Sequence, residues 1–217
     1  MGVRITTEML FRSGLGDVSR IRKRLASTQE QAASQLRVNR PSDDPVATRT
    51  AQLLRSGIGA AEQYQRNITQ ARGRASSIQN ALADTNDLLQ RARELAMAGA
   101  NGTADAGARA LIGEEVETLF ERLLANGNTR YTAGYVFSGF AGATQPFTAS
   151  GGFPAGAGSP SVAFGGDTNE IEVEIDEGVT STATLNGQRV FMGDANGDSV
   201  VDTGKENMFD VLGDLRD

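Results

Sequence analysis

The chain has 217 residues, enough for one or two domains with a sizeable buried core. It contains neither His nor Cys. That removes the commonest general acid/base and metal ligand near neutral pH, together with thiol nucleophiles, zinc–thiolate sites and disulfides. The formal charge of −6 argues against general nucleic-acid binding, which needs a basic face to displace counterions.

The opening MGVRITTEMLFRSG has no apolar stretch of the signal-peptide kind, and no window reaches membrane-spanning length. The usual rules place such a chain in the cytoplasm, unless it is exported by a machine that reads no cleavable signal. Over residues 7–36, Leu15, Val18, Ile21, Leu25, Thr28, Ala32 and Leu36 recur three or four apart, which predicts a helix with one apolar stripe. Gly14 and Gly16 weaken its first turns. Arg20, Arg22, Lys23 and Arg24 read as a solvated or partner-facing side of this helix rather than a phosphate site.

The helix is predicted to stop in RVNRPSDDPVATRT, residues 37–50. Pro41 disfavours helix at Arg40. Asp44 fits an N-cap with Pro45 at the first helical position, and Asp43 places negative charge near the new helix's positive end. Beyond it, Ala61, Tyr64, Ile68, Ala71, Ala75, Ile78, Leu82, Thr85, Leu89, Ala92 and Ala96 alternate steps of three and four. This is heptad spacing over about five repeats. A helix over residues 45–98 would run on the order of 80 Å. Its many Ala positions suit a helix enclosed by several neighbours better than a two-stranded coil.

A break at Gly99, Asn101 and Gly102 precedes a third helix capped by Thr103 or Asp105. It carries Ala108, Ile112, Val116, Leu119 and Leu123 and ends at Asn126–Asn128, as an antiparallel partner of the long helix. After Arg130 the period switches to two, and strands are expected at 131–138, 161–164, 169–176, 179–186 and 189–192. Ile171, Val173 and Ile175 alternate with Glu170, Glu172 and Glu174, and Asp176-Glu177-Gly178 supplies a hairpin turn. Residues 151–160 read as a surface loop. An amphipathic helix starting at Glu206, with Met208, Phe209, Leu212 and Leu215, stops in mid-pattern, as in a shortened chain. The expected fold class is therefore α+β: an elongated helical bundle or coiled-coil rod with an inserted small β-rich domain. The expected divisions are 1–44, an amino-terminal assembly helix; 45–129, an antiparallel helical rod; 130–205, the β-rich domain; and 206–217, the start of a returning helix.

One constellation could carry a ligand. Asp194, Asn196, Asp198 and Asp202 occupy positions 1, 3, 5 and 9 of a calcium-type loop, with the Val200 carbonyl at position 7. Ser199 stands where such loops use Gly, and Lys205 stands where they use a bidentate Glu, which Glu206 follows by one place. The competing reading is a polar turn. The acidic pairs Glu114/Glu115 and Asp43/Asp44 read as solvated faces and caps. The GGFPAGAG run lacks the Lys of a phosphate loop, and no Ser has a His partner. No enzyme activity and no cofactor is expected, calcium being the sole candidate.

The run RVNRPSDDPVA resembles the hallmark of FlgL-type hook-associated proteins in the flagellin superfamily, through Asn39, Pro41, Ser42, Asp43, Asp44 and Pro45. Arg4-Ile5-Thr6, RYTAGYVFSG (130–139), GQRVFMG (187–193) and ENMFDVLGDLRD (206–217) are similar to further family motifs, in the same order. Flagellin is the near relative, but Pro45 departs from its usual loop. The resemblance implies a structural subunit of the extracellular flagellum, exported by the type III apparatus, at the junction of hook and filament. Implied partners are other copies in a ring, the second junction protein, flagellin and an export chaperone, with no nucleic acid or membrane. The helix seams, represented by Leu25, Ala32, Leu36, Tyr64, Ile68, Ile78, Leu82 and Leu89, would then be assembly surfaces. In that family amino- and carboxy-terminal helices pair, so residues 1–40 are expected to order on assembly. A flagellin-like filament subunit, a coiled-coil adaptor and a calcium-dependent binding or adhesion module are the alternatives.

Overall fold

The computed structural model describes residues 7–102, 105–132, 134–151, 160–194 and 200–216. Its helices are α1 (Thr7–Ser34), α2 (Pro45–Gly99), α3 (Ala106–Gly127), α4 (Gly187–Phe191) and α5 (Met208–Arg216). Its strands are β1 (Arg130–Tyr131), β2 (Gly134–Tyr135), β3 (Phe147–Ser150), β4 (Ser161–Phe164), β5 (Glu172–Asp176) and β6 (Val179–Thr182). The chain divides into two compact units, residues 1–61 and 62–217.

In the first unit α1 is a helix without a core of its own: Leu15, Val18, Ile21 and Leu25 are all exposed. Its side-chain support is local, from Arg12 to Glu8 and Arg20 to Asp17 one turn apart, and such exposed pairs add little. The chain leaves α1 through Gln35, at φ 57°. The loop that follows is closed by its own hydrogen bonds. Ser34 Oγ donates to Asn39 Oδ1 at 2.8 Å, and Gln31 Nε2 donates to the Arg37 carbonyl at 3.0 Å. The Arg40 N–H donates to Asp43 Oδ2, and the Asp43 N–H returns to the Arg40 carbonyl. Asp44 then accepts from the Ala47 N–H at 2.9 Å, with Pro45 opening α2 behind it. A missing N–H costs nothing there, because the first helical amides have no intrahelical acceptor.

Among the described residues the second unit has one apolar core. Ile78, Ala81, Leu88, Ala92 and Leu95 of α2 meet Val116, Leu119, Phe120 and Leu123 of α3. Arg91 of α2 reaches Glu115 of α3 at 2.6 Å, and Asn126 Nδ2 approaches Thr85 Oγ1 at 3.4 Å, which fixes the two helices as antiparallel. Asp105 caps α3 by accepting from Ala108 N–H at 2.7 Å. Helix α5 lies against α3, with Phe209 and Leu212 fully buried.

The expected seam of α2 is corrected in phase. Ile78, Thr85 and Ala92 are buried as positioned, but Ala81, Leu88 and Leu95 complete the buried row. Leu82 and Leu89 are only half-buried. Both sets keep the three–four alternation, so periodicity alone does not choose between them. The choice falls to the side from which α3 and α5 cover the helix.

Among the described residues the β-rich region is three separate two-stranded antiparallel hairpins, β1–β2, β3–β4 and β5–β6. The strand expected at 131–138 is only the short β1–β2 pair, turned through Thr132 at φ 55°. Val136, Phe137 and Ser138 follow it into the core. The strand expected at 189–192 is the helix α4. Asn186 caps it, accepting from the Gln188 and Arg189 N–H groups, so the backbone turns where the sequence suggested extension. Strand β3, which no sequence signal marked, pairs with β4 from Phe147↔Phe164 to Ser150↔Ser161. Residues 152–159 of the expected loop lie outside the described residues.

An aromatic cluster holds these pieces to the helices. Phe147 stands 5.4 Å from Phe209, 5.3 Å from Phe191 and 5.4 Å from Phe164, while Phe120 meets Phe209 edge-on at 5.7 Å. Asn128, just after α3, pairs its side-chain amide with the backbone N–H and carbonyl of Phe147 at 3.0 and 2.9 Å. In this way the end of α3 grips β3 as a neighbouring strand would.

Candidate assembly interface

The described surfaces offer apolar contact rather than a catalytic constellation. On α1, Leu15, Val18, Ser19, Arg22, Lys23 and Ala26 line a shallow groove of about 430 Å³. On the first turns of α2, Val46, Leu53, Leu54 and Ile58 are 60–77% exposed. Isolated exposed apolar residues are ordinary, but rows of them along a helix mark contact surfaces. Of the seam residues named from sequence, Leu25, Ala32 and Leu36 are exposed in the first unit. In the second unit Tyr64 and Ile68 are half-buried and Ile78 is buried.

Tyr64 and Ile68 lie on the stretch of α2 beside the chain's own β5–β6 hairpin. Asn67 Nδ2 donates to the Glu174 carbonyl at 2.8 Å. Burial first, then the charges of Glu174, Glu177 and Asp176, raises the Tyr64 phenol above its ordinary value. Further along, Ala75, Ile78, Gln79 and Leu82 form a groove with Thr182, Ala183, Thr184 and Leu185.

The loop residues Asn39, Pro41, Ser42, Asp43, Asp44 and Pro45 are brought together as a helix stop and restart. Hydrogen bonding from the Ala47 N–H, opposed by partial burial and aided by Arg37 at 3.0 Å, holds the Asp44 carboxyl below the usual carboxylate range. The Arg91 side chain likewise holds Glu115 low through its hydrogen bond and charge. Asp210 on α5 is pushed the other way, by burial and by the nearby Asp214.

For the calcium-type loop, Asn196 and Asp198 lie outside the described residues. Asp194 is buried and accepts from Gln188 Nε2 at 2.6 Å, while Asp202 faces Lys205 Nζ at 3.3 Å. Among the described residues no group of three or more acidic side chains is placed to hold a metal ion. No described helix is long and apolar enough to cross a membrane.

Two features were missed from sequence. One is the aromatic cluster, whose Phe residues are scattered from 120 to 209 and share no local spacing. The other is the opposite charge of the two units, which a running charge count would have exposed.

Comparison with known proteins places this architecture. The family model of the bacterial flagellin N-terminal helical region matches residues 5–141. The flagellar hook-associated protein 3 of Escherichia coli (strain K12) is 28% identical over 147 residues, covering 67% of this chain and 46% of that relative. Its counterpart in Salmonella typhimurium is 27% identical over 156 residues, covering 71% and 49%. The chain thus spans about half the length of the curated relatives it matches. Among solved structures, FlgL of Xanthomonas campestris superposes with a TM-score of 0.56 at 26% identity, covering 63% of this chain and 42% of that one. The flagellar junction protein FlgL of Legionella pneumophila, at 24% identity and a TM-score of 0.55 over 69% and 43%, shares the fold. From residue 5 to residue 141 the long helices and their restart loop are matched as one piece, and the chain belongs to the family of the bacterial flagellin N-terminal helical region.

Proposed function

We propose that this chain is a structural subunit of the bacterial flagellum, exported by the flagellar type III apparatus and seated between hook and filament. The observation that carries this reading is the match to hook-associated relatives over two thirds of the chain, 67% and 71%. The exposed stripes on α1 and on the first turns of α2 support it, since a subunit buries such surface only against neighbours. Its partners would be further copies in a ring, the second junction protein, flagellin and an export chaperone, and its role is packing without catalysis. The test is electron microscopy of a strain lacking the gene. Intact hooks without filaments, with filaments restored by the gene, would support the reading. Filaments of normal number without the gene would end it.

A second reading has its own observation. Flagellins match at 29% identity over 119 residues, 55% of this chain. Were the chain a filament subunit, it would restore filaments to a strain lacking flagellin and would be present along their length.

A further inference from the structure

Helix α2 runs unbroken from Pro45 to Gly99, but its tertiary support starts late. Ala51 is half-buried, and every residue from 52 to 63 is exposed, a run of more than three turns. A helix that packs against another element shields one side in each turn. This stretch therefore leans on no other element among the described residues. Side-chain bonds stop short of it as well. Thr50 Oγ1 donates to the Val46 carbonyl before it, and Gln63 Nε2 donates to Asn67 Oδ1 at its end. The grip on α2 comes further along, where Asn67 donates to the Glu174 carbonyl beside half-buried Tyr64 and Ile68.

In the middle of the unsupported run stands Ser56-Gly57-Ile58-Gly59. Glycine loses the most backbone freedom in a helix, and Ser and Ile are poorer formers than Ala, Leu, Arg or Gln. A glycine inside a helix is often explained by a close neighbour, as at Gly73, where a Cβ would meet the Tyr131 side chain. At Gly57 and Gly59 a Cβ would meet nothing within 4 Å, so no neighbour accounts for the pair. On either side lie strong helix formers, AQLLR at 51–55 and AAEQ at 60–63. The first compact unit ends at residue 61, just past Gly59.

We propose that Ser56–Gly59 is a joint in α2, at which the helix bends by transient loss of its hydrogen bonds while the arms on both sides stay helical. Sharp bends in helices occur where Gly and Ser come together, and the exposed run leaves nothing to resist one here. Residues 45–55 can then turn toward a neighbour while Tyr64 and Asn67 keep the rest of α2 fixed to the β5–β6 hairpin. This goes beyond the assembly reading above and does not depend on it.

The chain has no Cys, so pairs of spin labels can be placed on the full chain through introduced thiols. Arg49→Cys/Gln65→Cys brackets the joint, and Gln70→Cys/Asn86→Cys brackets the packed Gly73 as a reference. All four positions are exposed, and each pair would stand about 24 Å apart along a straight helix. Double electron–electron resonance should give a distance distribution at least about twofold wider across the joint than across the reference, with an added shorter component. Gly57→Ala/Gly59→Ala, which enters open space, should narrow it to the reference width. The same pair of substitutions should slow amide exchange over residues 56–60 by about 20-fold, roughly four- to fivefold from each glycine. A joint as narrow as the reference, a width that ignores the alanines, or exchange they leave unchanged would each overturn the proposal. So would wild-type exchange as fast over residues 48–54 as over 56–60, the mark of fraying from the helix end. Restoration of filaments by the wild-type gene bears on the junction reading and leaves these distances untouched.

Discussion

Single residues fix several of the tight points. Gly187 opens α4 where an added Cβ would stand 2.6 Å from the Phe137 carbonyl oxygen and 3.1 Å from the Phe147 ring. Backbone cannot retreat there, so Gly187→Ala should cost about 1–3 kcal/mol of overpacking. A lower urea midpoint at unchanged slope would register it. At Gly73 on α2 an added Cβ would instead meet the Tyr131 hydroxyl, the end of a side chain rather than backbone. Asp44 has a pH signature. Its folded-state pKa is depressed, so its stabilisation is present above the unfolded value, about 4, and is lost as pH falls through the lower folded value. The amide resonances of Ala47 and Thr48 should therefore shift toward unfolded positions during acidification, and Asp44→Ala, which removes the accepting oxygen, should show that uncapped state at neutral pH as well.

At the level of elements, the helices were legible because each rule that governs them is local. Pro41 and Pro45, the caps at Asp44 and Asp105, and the Gly-rich break at 99–102 bracket α2 and α3 within a residue or two. The phase of the α2 seam was not legible, because Leu82 and Leu89 keep the same spacing as Ala81 and Leu88. Only the arrival of α3 and α5 on one side decides between them. The β region resisted for another reason. Its hairpins are short, and β3 matters through Phe147 and its pairing with Asn128 rather than through any alternating run. Helix α4 was hidden because Val190 and Phe191 suit a strand until Asn186 is seen capping the turn. The seating of α5 gives a direct test. Phe209 is fully buried between Phe120 and Phe147, so Phe209→Ala should cost about 3–5 kcal/mol. A loss under about 1 kcal/mol, the range of surface changes, would show that α5 is not part of the core.

Across the whole molecule, stability is unevenly distributed between the two units. Helix α1 was expected from sequence to order only on assembly, whereas the structure places residues 7–34 in a helix. That helix has backbone hydrogen bonds but almost no burial, and short-range bonds alone leave an isolated helix marginal. Native-state amide exchange should accordingly be fast across residues 10–34 and slow across Val116–Leu123, where the amides open only with the core. Equal, strong protection in both segments would contradict the division.

The placement of the tyrosines offers a way to watch that division. The chain has no Trp, and its three Tyr residues, 64, 131 and 135, all belong to the second unit. Phenol emission and the tyrosine band of near-ultraviolet dichroism are therefore optically blind to α1 and its loop, while far-ultraviolet dichroism weighs every helix. Two melting curves recorded on one sample would then separate the melting of each part, without a label or a truncated chain.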